Sequence, residues 1–183
     1  MFNMINIIAI VAVGVALPMN YMLGYPTWIL VITACILGLQ AYLYYLSRIR
    51  KKFYLSRILF AVLSYCFLTL NFFYNSGIDG PTFLCFFLTY IFLIAIFPRK
   101  TYWLWTTLHI VNVFALLIIN HNNPGIAPVT YKTLTDRDID TAVSFSIMLA
   151  LSYATLNFIR ANYDYEKSSA DKKTLAIQLH NEE

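Results

Sequence analysis

Apolar residues in this chain come in long unbroken runs, without the alternation or the 3–4 spacing that marks half-buried strands and helices. Six runs of about 17–22 residues are separated by polar stretches; as helices rising about 1.5 Å per residue they reach about 26–33 Å, close to a hydrocarbon core of about 30 Å. Because backbone groups in lipid need internal hydrogen bonds and the runs are apolar on every face, each is predicted to be a transmembrane helix. The predicted helices are residues 4–22, 27–46, 53–74, 81–97, 102–120 and 140–159.

The polar stretches between the runs are mostly short, and those at 47–52 and 98–101 cannot hold a domain. Short links place consecutive helices side by side in opposite directions. We therefore expect an all-α, polytopic membrane protein whose six transmembrane helices form an up-down bundle. The bundle is predicted to occupy residues 1–160, and a separate polar helix residues 161–183.

The composition supports this class and excludes several others. Apolar residues make up 60% of the chain and charged residues 12%, whereas soluble domains have about 45–50% and about 25%. These fractions argue against a disordered chain, a soluble enzyme and a nucleic-acid-binding domain. The three cysteines, Cys35, Cys66 and Cys85, lie inside apolar runs without C-x-x-C spacing. They are expected to be packing residues, not disulfides or zinc ligands.

The placement of basic residues predicts the orientation in the membrane. On one side of the predicted bundle lie eleven of the 13 Lys and Arg residues, and on the other only Lys132 and Arg137. Cytoplasmic connections carry an excess of Lys and Arg, so the richer side is predicted to be cytoplasmic, as are both termini. The eleven are Arg48, Arg50, Lys51, Lys52, Arg57, Arg99, Lys100, Arg160, Lys167, Lys172 and Lys173.

Polar residues at the opposite, outer ends of the helices are the first candidates for a ligand site. The connection 75–80 reads Asn-Ser-Gly-Ile-Asp-Gly before Pro81. One interpretation is a tight turn in which Asp79 caps the fourth helix. The other is that Asn75 and Asp79 line an outer ligand pocket. The outer candidates for ligand binding are Asn71, Asn75, Asp79, His121 and Asp136.

Three acids cluster in and after the long connection 121–139. The acids occupy every second position, at Asp136, Asp138 and Asp140. This segment lacks the glycine and the distal glutamate of a calcium-binding loop. Acids are favoured at the positive end of a helix dipole, and Thr135 with Asp138 has the spacing of a capping box. Helix capping is therefore preferred over a metal site, and no metal is expected.

A few polar residues are predicted to lie deep in the membrane. Gln40 and His109 have similar depths from the cytoplasmic side, so a hydrogen bond between them is expected, and Asn112 shares a helix face with His109. These groups either join helices by hydrogen bonds or form a pocket around His109. A single deep histidine does not favour haem, and no other cofactor is indicated. The sequence offers no catalytic constellation, so the chain is not expected to be an enzyme.

The polar segment after the sixth run has neither glycine nor proline from Arg160 to Glu183 and is predicted to continue the sixth helix into the cytoplasm. A 3–4 spacing there predicts a modest coiled-coil seam, hence a homodimer and a route for a signal. The alternative is a basic tail that lies on anionic lipid. The seam comprises Phe158, Ala161, Tyr165, Ser168, Lys172, Leu175 and Leu179, and its apolar members Phe158, Ala161, Tyr165, Leu175 and Leu179 are the predicted signal relay.

With these features the chain resembles the membrane input region of bacterial sensor histidine kinases, particularly those of Bacteroidetes. The resemblance is carried by the six helices, the loop Asn75-Ser-Gly-Ile-Asp-Gly-Pro81 and the exit helix Tyr163…Glu166…Leu175…Leu179-His-Asn-Glu-Glu183. It implies a sensor domain in the bacterial inner membrane that signals to a cytoplasmic kinase module and a response regulator. His180 precedes Asn181, Glu182 and Glu183, which departs from the family's phosphoacceptor pattern, so that role is not transferred. The chain looks like the sensor part alone.

Other classes remain open at this point. A small transporter or channel subunit would need a continuous polar path and no exit helix. Membrane anchors of nucleotide cyclases are similar in topology and would have the same exit helix. The expected partners are the lipid bilayer, a second copy of the chain and a cytoplasmic kinase module or response regulator, with no nucleic acid.

Overall fold

The computed structural model describes residues 1–22, 24–123, 125–129, 131 and 133–182, with the side chains at 175, 176 and 179–182 outside the description. The first five predicted helices are confirmed with bounds that differ by at most two residues, whereas the sixth begins earlier and ends later than predicted. In the described part the chain forms six α-helices and no strand: α1 (Phe2–Met22), α2 (Thr27–Arg48), α3 (Phe53–Tyr74), α4 (Thr82–Ile96), α5 (Tyr102–Asn122) and α6 (Leu134–Glu182).

The helices have the length and composition of membrane-spanning segments. Five of those described, all but α4, are long and apolar enough to cross a bilayer. The fourth, α4, has 15 residues and is also apolar. The chain is therefore a multi-pass membrane protein by the length and hydropathy of its helices.

The short helix α4 lies at the centre of the bundle, where it contacts α1, α3, α5 and α6. Its side chains Phe86, Leu88, Phe92, Leu93 and Ile96 are buried. They contribute to a core that also contains buried side chains of α1, α2 and α3. Neighbouring helices therefore cover most of the hydrophobic surface of α4.

Hydrogen bonds at both ends of α4 show that it runs antiparallel to α3. At one end Asn71 of α3 donates to Thr82 of α4 over 2.8 Å. At the other end Arg57 of α3 donates to the carbonyl of Ile96 over 3.2 Å. The short helix therefore extends along most of α3, from the level of Arg57 to that of Asn71. Arg57 thereby satisfies one of the carbonyls left free at the end of α4.

The bundle has two chemically different ends. One end, called here the acidic end, carries the connections 75–81 and 123–133 and the first turns of α6. The other, called the basic end, carries the connections 49–52 and 97–101 with their Lys and Arg residues. The side of the membrane that each end faces stays a prediction, and Lys132 lies outside the described residues.

The turn between α3 and α4 at the acidic end requires its two glycines. Gly77 has a φ of +60°, and a Cβ there would lie 2.8 Å from Oδ1 of Asn120 on α5. At Gly80 a Cβ would overlap the carbonyl of Asn75. Asp79, predicted to cap α4, is exposed in the 3₁₀ turn Gly77–Asp79, and the N-cap of α4 is Pro81 with no side-chain capping bond. The capping role of Asp79 is therefore wrong.

The start of α6 also differs from the prediction. Thr133 Oγ1 accepts from the N–H of Asp136, and Asp136 Oδ2 accepts from the N–H of Thr133, each over 3.1 Å. This is a reciprocal capping box two residues before the predicted pair, Thr135 and Asp138. The prediction failed because both pairs have the same Thr-x-x-Asp spacing. As a result, Asp140 lies inside the helix instead of at its first residue.

The helix α6 continues unbroken past Arg160 to Glu182, and its 49 residues correspond to about 73 Å of helix. One face of its first half packs against α4 and α1 through residues such as Met148, Leu151 and Ile159. Beyond Arg160, Tyr165 is 75% exposed, so this segment projects from the bundle.

The seam residues predicted for signal relay lie on this projecting part or just before it. Phe158 is half-buried, and Ala161 and Tyr165 are exposed. The side chains of Leu175 and Leu179 lie outside the described residues. Pairing of this segment with a second copy stays a prediction.

Candidate functional site

A group of polar side chains closes the bundle at the acidic end. Asn75, at the end of α3, is its centre: Oδ1 accepts from the hydroxyl of Tyr25 over 2.5 Å and lies 3.3 Å from that of Tyr131, while Nδ2 donates to Thr82 over 3.2 Å. The same hydroxyl of Tyr131 lies 2.6 Å from Oδ2 of Asp140 and donates to it. We call this group the acidic-end cluster; it comprises Tyr25, Asn71, Asn75, Thr82, Tyr131, Asp140 and Ser144.

Asp140 is the charged member of the acidic-end cluster, and it is only 5% exposed. Because α6 begins at Leu134, Asp140 lies more than one turn inside the helix. Its described hydrogen-bond donors are both neutral hydroxyls, that of Tyr131 on Oδ2 and that of Ser144 on Oδ1, the second over a long 3.4 Å. A buried carboxylate with a short bond on one oxygen only retains capacity to accept further hydrogen bonds.

Tyr131 is held in its protonated form by this arrangement. Burial, the hydrogen bond to Asp140 and the negative charge of that carboxylate raise the pKa of Tyr131 above its usual range. The phenol is therefore a donor at every physiological pH. It joins the connection before α6 to both α6 and α3.

A cavity of about 160 Å³ lies between the helices next to the acidic-end cluster. Five helices line it: α1, α2, α3, α4 and α6. On α1 the lining residues Ala9, Ala12 and Ala16 recur on one face and have no side chain long enough to fill the space. Most of the remaining lining is apolar, and its polar groups belong to the acidic-end cluster or to a few residues such as Gln40 on α2.

Gln40 is an unsatisfied polar residue in the wall of this cavity. It is 4% exposed, and its Oε1 has no hydrogen-bond partner among the described residues. The neighbouring Asn6 of α1 donates to the backbone carbonyl of Gln40 over 3.0 Å, and Oδ1 of Asn6 is likewise without a described partner. Buried polar atoms are satisfied in most proteins, so two orphaned acceptors between α1 and α2 mark this region as unusual.

The predicted hydrogen bond between Gln40 and His109 is not formed. His109 on α5 lies instead 3.3 Å, through Nδ1, from the hydroxyl of Tyr65 on α3. The aromatic rings of Tyr65, Phe86 and Tyr90 surround it, with centroid distances of 5.4–6.0 Å. Similar predicted depth did not identify the neighbour, because α5 packs on α4 and α2 packs on α1 and α3.

The structure brings two of the seven predicted ligand-binding residues, Asn71 and Asn75, into the acidic-end cluster. His109 and Asn112 lie apart from it on α5, where Nδ2 of Asn112 is buried without a described partner. The other three do not join: Asp79 and His121 are exposed, and Asp136 caps α6.

The three acids considered as a metal site have separate contacts. Asp136 caps the helix, Asp138 is exposed and lies 3.5 Å from Arg137, and Asp140 binds Tyr131. Among the described residues no group of three His, Cys, Asp or Glu side chains is close enough to hold a metal ion. The acidic-end cluster is therefore a hydrogen-bonded network with one buried charge.

Five members of the acidic-end cluster were not identified from the sequence as ligand-binding candidates: Tyr25, Thr82, Tyr131, Asp140 and Ser144. For Asp140 a signal existed, because it shares a helix face with Ser144, Met148 and Leu151, and such a face is expected to be buried. Tyr25 and Tyr131 lie in connections, where no periodic pattern indicates which way a side chain points.

Comparison with protein-family models, with curated proteins and with solved structures finds no match to this chain. The resemblance to sensor-kinase input regions therefore stays a prediction. The function is inferred from the cavity, the acidic-end cluster and the helix that joins them to the other end of the molecule.

Proposed function

We propose that this chain is the signal-input domain of a membrane receptor, of the kind that regulates a histidine kinase. The observation that carries the proposal is the double role of α6. Asp140 and Ser144 of α6 line the cavity, and the same unbroken helix continues past Arg160 and projects from the bundle to Glu182. A change at the cavity therefore acts on the element that reaches furthest from it.

The packing of α6 favours movement of this helix as a unit. Its contacts with the other helices are to α4 and α1, and most of the face turned away from them is exposed. A small slide or rotation of α6 therefore exchanges contacts mainly with these two helices. Packed helix interfaces tend to have discrete alternative arrangements, so a small displacement at Asp140 can be converted into two states at the projecting end.

The orientation in this proposal follows from charge. The basic end faces the cytoplasm of a bacterial inner membrane, both termini are cytoplasmic, and the acidic end faces outward. Two copies of the chain pair through the projecting part of α6, with Phe158, Ala161, Tyr165, Leu175 and Leu179 at the seam. The downstream partner is a cytoplasmic kinase module, and through it a response regulator.

Insertions in the projecting helix test this proposal. The chain is fused to the dimerisation and catalytic core of a histidine kinase, and one to four residues are inserted after Ser168. Each inserted residue turns the downstream helix by about 100°, so kinase output is expected to oscillate with helical phase and to recover after about four residues. The substitution Ser169→Ala, next to the insertion point but outside the seam, is the matched control and leaves output unchanged. Kinase output that is the same with and without the insertions would contradict signal relay through α6.

A small transporter is the second candidate, and one observation favours it: a buried carboxylate lies in the wall of a cavity within the bundle. This alternative needs Asp140 but not the projecting helix. It predicts that solute flux into proteoliposomes survives deletion of residues 163–183 and is lost in Asp140→Asn. The receptor proposal predicts no flux in either case.

A further inference from the structure

The cavity next to the acidic-end cluster contains one charge, and that charge is negative. Asp140 is the only Asp, Glu, Lys, Arg or His residue among the described residues that line it. Its described donors, Tyr131 and Ser144, are neutral. An uncompensated carboxylate in a largely apolar cavity favours a cationic occupant, because attraction between charges is stronger where water is excluded.

The hydrogen-bonding groups around the cavity also favour a donor. The acceptor atom of Asn75 accepts from Tyr25 and is also contacted by the hydroxyl of Tyr131, and that of Thr82 accepts from Asn71 and Asn75. Acceptors that remain available are Oδ1 of Asp140, which has only a long contact to Ser144, and Oε1 of Gln40, which has no described partner. A carboxylate and an amide oxygen accept hydrogen bonds and cannot donate them, so the matching ligand must supply hydrogen-bond donors.

Size and walls limit the rest of the ligand. The volume of about 160 Å³ is close to that of an engineered cavity of about 150 Å³ that accepts benzene, so about six to ten non-hydrogen atoms fit. The walls are mainly aliphatic, with aromatic rings from Tyr25, Phe67 and Phe92. Aromatic faces attract cations, and the aliphatic walls require an apolar body.

From these three observations we infer that the cavity binds a small protonated primary amine with an apolar body, such as an aryl-alkylamine. The ammonium group pairs with Asp140, and the apolar body lies among α1, α3 and α4. In the proposed receptor, such an amine is the stimulus that acts on α6. Only this last step rests on the proposed function; binding of the amine does not.

Binding is measured on the purified chain in lipid nanodiscs by isothermal titration calorimetry, with empty nanodiscs subtracted. The probes are 2-phenylethylamine, its neutral analogue 2-phenylethanol and its anionic analogue phenylacetate. We expect saturable binding of the amine, and affinities at least about tenfold lower for both analogues, because the alcohol has no positive charge to attract Asp140 and the carboxylate of phenylacetate is repelled by it. This comparison needs no variant, so it does not depend on the folding of a mutant.

Two variants with the same change of charge complete the test. Asp140→Asn is expected to lower the affinity for the amine at least about tenfold and to change the affinity for 2-phenylethanol by no more than about twofold. Asp138→Asn, an exposed position on the same helix, is the matched control and changes both affinities by no more than about twofold.

The inference is overturned by equal affinity for amine and alcohol, by equal losses of amine affinity in the two variants, or by no saturable binding to folded wild-type protein. Insertions after Ser168 would retain their phase dependence in each of these cases, so failure of the binding site is distinguishable from failure of the receptor proposal.

Discussion

At the scale of single residues, the acidic-end cluster depends on two tyrosines that come from connections. Tyr25 precedes α2 and Tyr131 precedes α6, yet the hydroxyls of both lie against the same oxygen of Asn75 at the end of α3. Through these bonds the connections are fixed to the helices. Tyr131 has the larger role because it also donates to the buried carboxylate of Asp140.

Replacing Tyr131 by phenylalanine tests this role. Tyr131→Phe leaves one oxygen of Asp140 without its short hydrogen bond, and we expect the free energy of unfolding in detergent to fall by about 1–3 kcal/mol. Tyr21→Phe, at a residue that is 74% exposed, is the control, and its stability should match the wild type. Equal stability of Tyr131→Phe and wild type would contradict the proposed network.

The same variant has a defined pH dependence. The folded-state pKa of Tyr131 is raised above the unfolded value, which is about 10. Its contribution to stability is therefore fully present below about pH 10 and is lost as the pH rises through the folded-state pKa. The difference between wild type and Tyr131→Phe should be constant from about pH 6 to pH 9 and shrink above about pH 10. A difference that already shrinks between about pH 7 and pH 9 would show that the phenol is not held protonated.

The first turn of α6 gives a second prediction at this scale. Thr133→Ala removes the side-chain acceptor of the capping box, and a loss of about 1 kcal/mol is expected. Thr135→Ala is the matched control at the position that the sequence had indicated, and it should have little effect. Hydrogen exchange of the amides at 134–137 measures the difference directly. Faster exchange in Thr135→Ala than in Thr133→Ala would reverse the assignment of the cap.

The candidate site could be predicted from the sequence only where a residue's surroundings follow from its own helix. Asn71 and Asn75 were identified because they end a transmembrane helix beside a tight turn. The partner of His109 was not, because depth along a helix says nothing about which helix lies opposite. The side chains of Tyr25 and Tyr131 obey no helical period, so their convergence on Asn75 is known only from the fold.

At the scale of elements, α4 determines how the bundle is organised. It has only 15 residues, yet it contacts four other helices. Its apolar residues were sufficient to predict a helix, and the tail's lack of glycine and proline was sufficient to predict that α6 continues. The start of α6 was misplaced because two Thr-x-x-Asp spacings overlap, and only the backbone distinguishes them.

The end of α4 at the basic end depends on Arg57 of α3. Arg57→Ala removes the donor to the carbonyl of Ile96 and leaves that buried acceptor unsatisfied, so stability should fall by about 1–3 kcal/mol. Arg50→Ala, an exposed change of the same charge, should alter stability by less than about 0.5 kcal/mol. Thermal unfolding in one detergent measures both variants. A loss in Arg50→Ala as large as that in Arg57→Ala would show that net charge, and not the bond to Ile96, is responsible.

At the scale of the whole molecule, one helix connects two regions of different chemistry. The acidic-end cluster lies at one end of the bundle, the cavity extends from it into the bundle, and the projecting part of α6 leaves from the other end. The sequence predicted the number of helices and this projection, because both follow from runs of apolar and helix-forming residues. It did not predict the cavity, which arises where the small side chains of α1 meet four other helices.

The central claim is that α6 is one rigid helix from the cavity to its projecting end, and a distance measurement tests it most directly. Spin labels are placed at Asp138→Cys and Lys167→Cys in a chain without native cysteines, diluted with unlabelled protein. The control pair, Asp138→Cys with Asn157→Cys, lies on the bundle part of α6 and should give a narrow distribution near about 28 Å. For the long pair, double electron-electron resonance should give a narrow distribution near about 44 Å. A broad or much shorter distribution for the long pair, beside a narrow one for the control, would contradict the account.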